Sequence, residues 1–437
     1  MFNEKPITTD NIDNEKKNSE EKLPNFSLPK DKYSACRVLF FLLGICMFLP
    51  ITFFAAANNF WFYKFRNITD PTNSAENRTK LQINYSTVNL IVSTVCNLMF
   101  GIFNVTLAHR IKILHRIFVG LIIETCIFFI YTISVEINTD NAQLLYFIFV
   151  IASYGVLSAT NTVVLIAGSN YFTRFPSEYM YLCQYGQGSA GLIGNLLNIF
   201  SISVFQNDIE KATLLYFIIG SVIFVITVIL FSIERRSEFF HYYSNSVREA
   251  TDKKWHTLKE IKDVTYKIRL PLSMLSLFMI NITTTSASVM PLVVSELDDT
   301  DSVWAKTYFN PVLTYLLANF CALIGRIVGV GVKNIFSEKA IFGVVILDLL
   351  IVVPFIWLCN AQPRHHLPLL FPHDYQYGIQ TAVHGFFNGF ILLYALELIK
   401  RKTDKTNADL AFTLFGFFMN TIEILISPLG IFLVNFL

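Results

Sequence analysis

Eleven apolar runs set the terms for this chain. They cover residues 36–61, 86–108, 113–135, 143–169, 179–205, 212–233, 271–295, 306–331, 340–361, 377–399 and 409–436. An α-helix crosses the hydrocarbon of a bilayer in about 20 residues, so each run is long enough to span. A backbone in lipid must satisfy its own hydrogen bonds, and runs of this length do so as helices. Charged residues make up 15% of the 437 residues, against about 25% for a soluble domain. The expected fold class is therefore an all-α polytopic membrane protein. A net charge of +2, with no basic patch interleaved with aromatics, gives no reason to expect a nucleic-acid partner.

Lysine and arginine set the expected orientation. They concentrate in His109–Lys112, in 234–270 and in Lys400–Lys402. Under the positive-inside rule this places the N-terminus in the cytosol and the C-terminus outside or in a lumen. The first outside loop carries the sequons at Asn67, Asn77 and Asn84, and a sequon has meaning only on the lumenal side. Asn67 and Asn77 are the candidate glycosylation sites; Asn84 lies too near the second span. Sequons at Asn104 and Asn281 fall inside spans and are discounted. Residues 1–35 are polar, mix both charges and lack an apolar h-region. They read as a disordered cytosolic tail and not as a signal peptide.

The segment 234–270 divides the spans into an N-terminal six-helix bundle (36–233) and a C-terminal five-helix bundle (271–437). Around Trp255, Leu258, Ile261 and Val264 it can form an amphipathic helix on the membrane surface, or serve as a solvated linker. Transport cavities commonly sit between two such bundles, near the midplane.

The polar residues inside the spans carry the functional argument. Arg326 lies within the apolar stretch 315–332, eleven residues from Tyr315. A fixed charge in hydrocarbon is expensive and usually faces a bundle interior or a wet cavity. The alternative is snorkelling toward the helix end near Lys333. Asn319 shares its helical face, and Gly325 with Gly329 forms a G-x-x-x-G ridge for a closely packed neighbour.

The second span carries Asn89, Ser93, Asn97, Gly101 and Asn104 as one stripe. It either lines a hydrated path or packs against another helix, and the mid-span asparagines favour the path. Gly186, Ala190 and Gly194 in the fifth span read as helix packing. Pro291 makes the seventh span a candidate hinge, and His384 with Asn388 reads as a hydrogen-bonded packing pair. Glu124, Asp348 and Glu423 are deep acids, any of which can neutralise Arg326. Seven cysteines without C-x-x-C spacing indicate neither a metal site nor a disulfide framework. No catalytic motif or ATP-binding loop stands out, so an enzyme or a primary pump is not expected.

Taken in order, these residues resemble the equilibrative nucleoside transporter family. The similarity covers nearly all of the chain after the tail. Gly44, Leu49, Pro50, Phe53 and Phe54 look like its G-x-x-x-L-P-W-N-F-F. Pro176 and Tyr179, then Gly186–Gly191, match P-x-x-Y and G-Q-x-x-A-G. Asn104–Ile111, Met290–Pro291, Tyr308–Pro311, Leu358–Arg364 and Phe387–Gly389 resemble further helix ends. Asn319 through Gly325 and Arg326 match N-x-x-D-x-x-G-R.

The resemblance implies eleven transmembrane helices in a 6+5 two-bundle, major-facilitator-like arrangement. It also implies facilitated diffusion of nucleosides, in some members nucleobases, by alternating access. Carried over, the substrate-binding positions are Ile51, Ala55, Thr94, Asn97, Leu165, Asn319, Ala322 and Arg326, with Asn161 as a substitute one turn from Leu165. Three departures stand out. Ile51 and Thr52 replace Trp-Asn, Ala322 replaces the acid one turn before the arginine, and Leu165 replaces a glutamine. The expected partners are a small-molecule substrate and membrane lipid, with no cofactor and no metal. A functional monomer in the plasma membrane is expected. Two alternatives stay open. One is a carrier of another small polar solute, such as an organic cation, against which an unpaired Arg326 argues. The other is a transporter-fold scaffold or sensor that no longer transports.

Overall fold

A computed structural model describes residues 29–68, 79–106, 110–205, 208–245, 257–286, 288–298, 300, 302–332, 335–362, 364, 366–404 and 407–436. Most of the expected tail and Asn77 lie outside them. Long helices dominate. They are α1 (Ala35–Ala56), α2 (Lys80–Thr106), α3 (Ile113–Val135), α4 (Gln143–Phe172), α5 (Ser177–Phe205) and α6 (Ile209–Glu234). The remainder are α7 (Arg269–Asn281), α8 (Leu317–Gly331), α9 (Glu338–Leu347), α10 (Asp374–Lys402) and α11 (Ala408–Phe436). Four π turns interrupt or extend this set. Ile282–Ser286 follows α7, Trp304–Tyr308 and Asn310–Leu316 lead into α8, and Asp348–Val352 joins α9 to Val353–Trp357.

Ten helices among the described residues are long and apolar enough to cross a membrane. The chain is an integral, multi-pass membrane protein. The expected second span falls in α2, a 27-residue helix. Between α6 and α7 lie two short helices, Glu238–Asn245 and Leu258–Lys267. The second carries Ile261 and Val264 and begins with a capping box between Thr257 and Glu260. Trp255 lies outside the described residues. Pro291 ends α7's continuation, a short 3-10 turn at Met290–Leu292 following the π turn.

Close glycine contacts fix the main crossings. Helices in lipid gain little from burying apolar surface against each other, so close backbone approach carries the packing. A Cβ at Gly44 would sit 1.9 Å from the Cys183 carbonyl oxygen, and one at Gly186 2.0 Å from that of Phe41. These lock α1 onto α5. The Gly325–Gly329 ridge meets α10: a Cβ at Gly325 would lie 2.0 Å from the Phe386 carbonyl. In return, Gly389 of α10 admits the Ala322 carbonyl, 1.8 Å from where its Cβ would be. Around α1 the core is aromatic: Phe53 stacks on Tyr216 at 4.0 Å, and Trp61, from the short helix Asn58–Lys64, is fully buried against Phe54.

Within α1–α6, α1 packs on α5 and α6, α2 on α4, and α3 on α4 and α6. Within α7–α11, α10 packs on α7 and α8, and α7 on α11. Two seams join the sets: α5 against α8, and α11 against α2 and α4.

Candidate functional site

The α5–α8 seam is built from complementary spacing. Gln184, Gly188 and Gly191 occupy one face of α5, and Asn319, Leu323 and Arg326 one face of antiparallel α8. Nη1 of Arg326 donates to the backbone carbonyl of Gln184. A Cβ at Gly188 would meet Leu323 Cδ1 at 3.1 Å and Arg326 Nη1 at 3.3 Å. One at Gly191 would fall 2.4 Å from Asn319 Oδ1. Glycine is what lets these two polar side chains lie in the seam.

Arg326 is buried, with Nε lacking a partner. No described carboxylate pairs with it. Asp348 instead accepts from Asn281, and Glu124 lies beside Asn161. The guanidinium therefore holds one carbonyl and leaves its Nε edge without a protein acceptor.

One end of the molecule is closed by polar ties between the two sets of helices. This is the end bearing the N-terminal residues and the α4–α5 and α10–α11 turns. Arg174 pairs with Asp409 at 3.0 Å, and Asn170 Nδ2 donates to Thr413 Oγ1 at 2.6 Å. Tyr181 donates to Glu397 at 2.7 Å and Lys400 to Ser177 Oγ at 2.9 Å. Glu397 also pairs with Arg401 at 3.2 Å, as its position beside Lys400 and Arg401 suggests. At the opposite end the tie between the sets among the described residues is Ser203 to Tyr308, at 3.2 Å.

Toward that opposite end the helices are loosely covered. Residues 91–100 of α2, 315–324 leading into and along α8, and 417–429 of α11 include no buried residue. A helix at the edge of a packed bundle exposes one face to lipid and buries the other. These three stretches are half-buried or exposed at every residue, while Val92, Phe418, Asn319 and Ala322 still touch neighbouring helices. In α1, Ile51 alone is exposed between Leu39 and Phe54, at 48%. Arg326 and Asn319 thus lie between the closed end and these less covered stretches.

The other expected positions divide. Asn97 Oδ1 accepts from Thr162 at 2.9 Å, and its backbone carbonyl accepts from Asn420 at 3.5 Å, so it joins α2 to both α4 and α11. Gly101 faces Asn420, and Asn104 Oδ1 accepts from Arg116 at 3.0 Å. The stripe on α2 thus engages three helices. Thr94 is half-buried, and Leu165 is half-buried against the core. Asn161 is buried and donates to the Met47 carbonyl at 3.0 Å. Ala322 lies with its backbone against Gly389. The side chain of Ala55 is outside the described residues. Asn67 is half-buried beyond the short helix Asn58–Lys64. His384 shares Nε2 between Ser286 at 2.9 Å and Asn388 at 3.0 Å.

Sequence reasoning did not find the partners across the seams. Asn420, Thr413 and Asp409 are three unremarkable polar residues of α11 until the fold sets them against Asn97, Asn170 and Arg174. The available signal was their spacing, four and seven residues apart on one helical face. Gly188 is the other omission; it stood beside the packing glycines without a partner being assigned.

A known family matches this sequence. The sequence pattern of the family described as "Nucleoside transporter" matches residues 164–422. Equilibrative nucleoside transporter 3 of Rattus norvegicus is 23% identical over 408 residues, covering 87% of this chain and 85% of the relative. Equilibrative nucleoside transporter 1 of Homo sapiens is 23% identical over 438 residues, covering 90% and 95%. Equilibrative nucleotide transporter 1 of Arabidopsis thaliana is 21% identical over 401 residues, covering 88% and 82%.

Proposed function

The chain belongs to the nucleoside transporter family, and from that premise we propose that it carries nucleosides, and nucleobases as smaller ligands, down their gradients through a cleft between the two sets of helices. The relatives named above as equilibrative nucleoside transporters support this reading. In it, α1–α6 and α7–α11 form a 6+5 pair of bundles that rock about the α5–α8 and α4–α11 seams. No covalent chemistry is involved and no cofactor is needed. The observation that carries the reading is the placement of Arg326: buried in the α5–α8 seam, one nitrogen on the Gln184 carbonyl, with Nε unpaired.

The remaining donors of the Arg326 fork suit a carbonyl or hydroxyl of the solute. Arginine presents them in a fixed plane that lysine does not reproduce. Asn319 supplies an amide on the same face. Ala322 withholds the acid that the family pattern has there, which disfavours cationic solutes. In this reading Ile51, Thr94 and Asn97, which are exposed or half-buried, border the rest of the path. The closed end is cytosolic, because the basic segments adjoin it. Asn67 and Asn77 then face outward and accept glycans, and the protein works as a monomer in the plasma membrane. Another small polar solute in the same cleft is the competing reading.

Purified protein in proteoliposomes tests this. Labelled purine and pyrimidine nucleosides are expected to compete for one saturable uptake that needs no ATP and stops at equal concentrations. Uptake of an organic cation with no nucleoside uptake, or accumulation against a gradient without an ion gradient, contradicts it.

A further inference from the structure

Asp348 opens the π turn Asp348–Val352 of α9, and Asn281 is the last α-helical residue of α7 before the π turn Ile282–Ser286. Each is 1% exposed. Nδ2 of Asn281 donates to Oδ2 of Asp348, a contact that joins α7 to α9 inside the second set of helices. The remaining oxygens, Oδ1 of Asp348 and Oδ1 of Asn281, are both buried without a partner. No lysine, arginine or histidine faces the carboxyl among the described residues.

An ionised carboxylate is an acceptor only, with about four lone-pair sites to satisfy. Buried among membrane helices with one amide donor and no cation, it carries a large solvation penalty. A carboxylic acid is different, since it has one O–H to donate. The side-chain amide of asparagine has the complementary pair, one N–H and one C=O on adjacent atoms. Acid and amide therefore close a ring with two hydrogen bonds. One bond, Nδ2 to Oδ2, is present. The second would run from an Oδ1–H of Asp348 to Oδ1 of Asn281, which are the two atoms left without partners.

We propose that Asp348 is a proton-binding site, held as a neutral carboxylic acid in a cyclic acid–amide pair with Asn281. The bound proton satisfies both orphaned oxygens and ties α7 to α9 through two hydrogen bonds in place of one. Both helices widen into π turns at this point, so the pair clamps them where their own ladders are irregular. Asp348 is separate from the Arg326 seam and takes no part in binding solute there.

Infrared spectroscopy of the reconstituted full chain tests the site without reference to transport. Asp348 is the only buried aspartate among the described residues, so ¹³C at the aspartate side-chain carboxyl separates it from the buried or half-buried Glu124 and Glu423. At neutral pH the wild-type protein is expected to show the C=O stretch of a protonated acid. That band should shift on aspartate labelling and vanish in Asp348→Asn. In Asn281→Leu it should move to higher frequency, as expected for a carbonyl freed from its amide donor. The exchange of roles, Asn281→Asp with Asp348→Asn, should restore a labelled acid band near the wild-type frequency. A wild-type spectrum in which labelling shifts only carboxylate bands overturns the proposal, whatever the variants do.

Discussion

At the residue scale the account rests on Arg326. Its position on one helical face with Asn319 was readable from the sequence, because spacing of seven on a helix is a matter of geometry. Its setting was not. Three intramembrane acids competed as partners, and the structure commits Asp348 to Asn281 and sets Glu124 beside Asn161. The acceptor is instead a backbone carbonyl, that of Gln184, and main-chain groups leave no mark on a sequence. Replacing Arg326 by Lys keeps the charge and loses the planar fork. Uptake normalised to inserted protein is expected to fall roughly tenfold to a hundredfold, the range for losing one hydrogen bond to a charged group, about 1.5–3 kcal/mol. Arg326→Ala should lose at least as much uptake yet insert well, since an expensive buried charge has gone. Near-normal uptake by Arg326→Ala would remove the arginine from the solute's path. Ala322→Asp restores the family's acid one turn away, and is expected to change the ranking of competing solutes in an inhibition panel more than the protein level.

At the scale of elements, the glycines separate into pairs that the sequence could announce but not match. Gly325 and Gly329 promised a close neighbour, and the neighbour is α10, whose own Gly385 and Gly389 complete the crossing. Which helix would answer the ridge depended on tertiary contacts dozens of residues away. Gly389→Val forces a side chain into the Ala322 carbonyl and should cost about 1–3 kcal/mol or more from overpacking. Thermal unfolding in detergent, followed by retention of monodisperse protein, is expected to show a lower midpoint. An unchanged midpoint would mean that the crossing is looser than the distances say. Gly331 has open space around the site of an added Cβ, so Gly331→Ala serves as a neutral control. The α2 stripe was visible as a helical repeat, but its two meanings could not be told apart from one helix. Asn97 turns out to hold Thr162 through its side-chain oxygen, while Asn420 bonds its backbone carbonyl. Asn97→Leu is therefore expected to impair uptake with surface level kept; normal uptake with lost assembly in Ser93→Leu would make the stripe packing alone.

At the scale of the whole molecule, membrane class and most helices were legible because hydropathy and length decide them. The π turns were not: Pro311 lies inside one and Pro354 just after another, but Ile282–Ser286 and Trp304–Tyr308 carry no proline to announce them. The closed end was not legible either, because each tie across it joins residues more than 200 apart in the chain, such as Arg174 with Asp409 and Asn170 with Thr413. Loss of the partly buried Arg174–Asp409 pair, worth about 1.5–3 kcal/mol, is expected to shift the balance of end-closed to end-open forms roughly tenfold or more. Accessibility of a reporter cysteine at that end to a membrane-impermeant thiol reagent measures the shift. The central claim is that solute passes between the two sets of helices as these ties open and close. Its most direct test is a reversible lock: Asn170→Cys with Thr413→Cys, in a background lacking the seven native cysteines, with nucleoside uptake measured in proteoliposomes. Oxidation should cross-link α4 to α11 and abolish uptake, and reduction should restore it; full uptake with the cross-link formed would contradict the account.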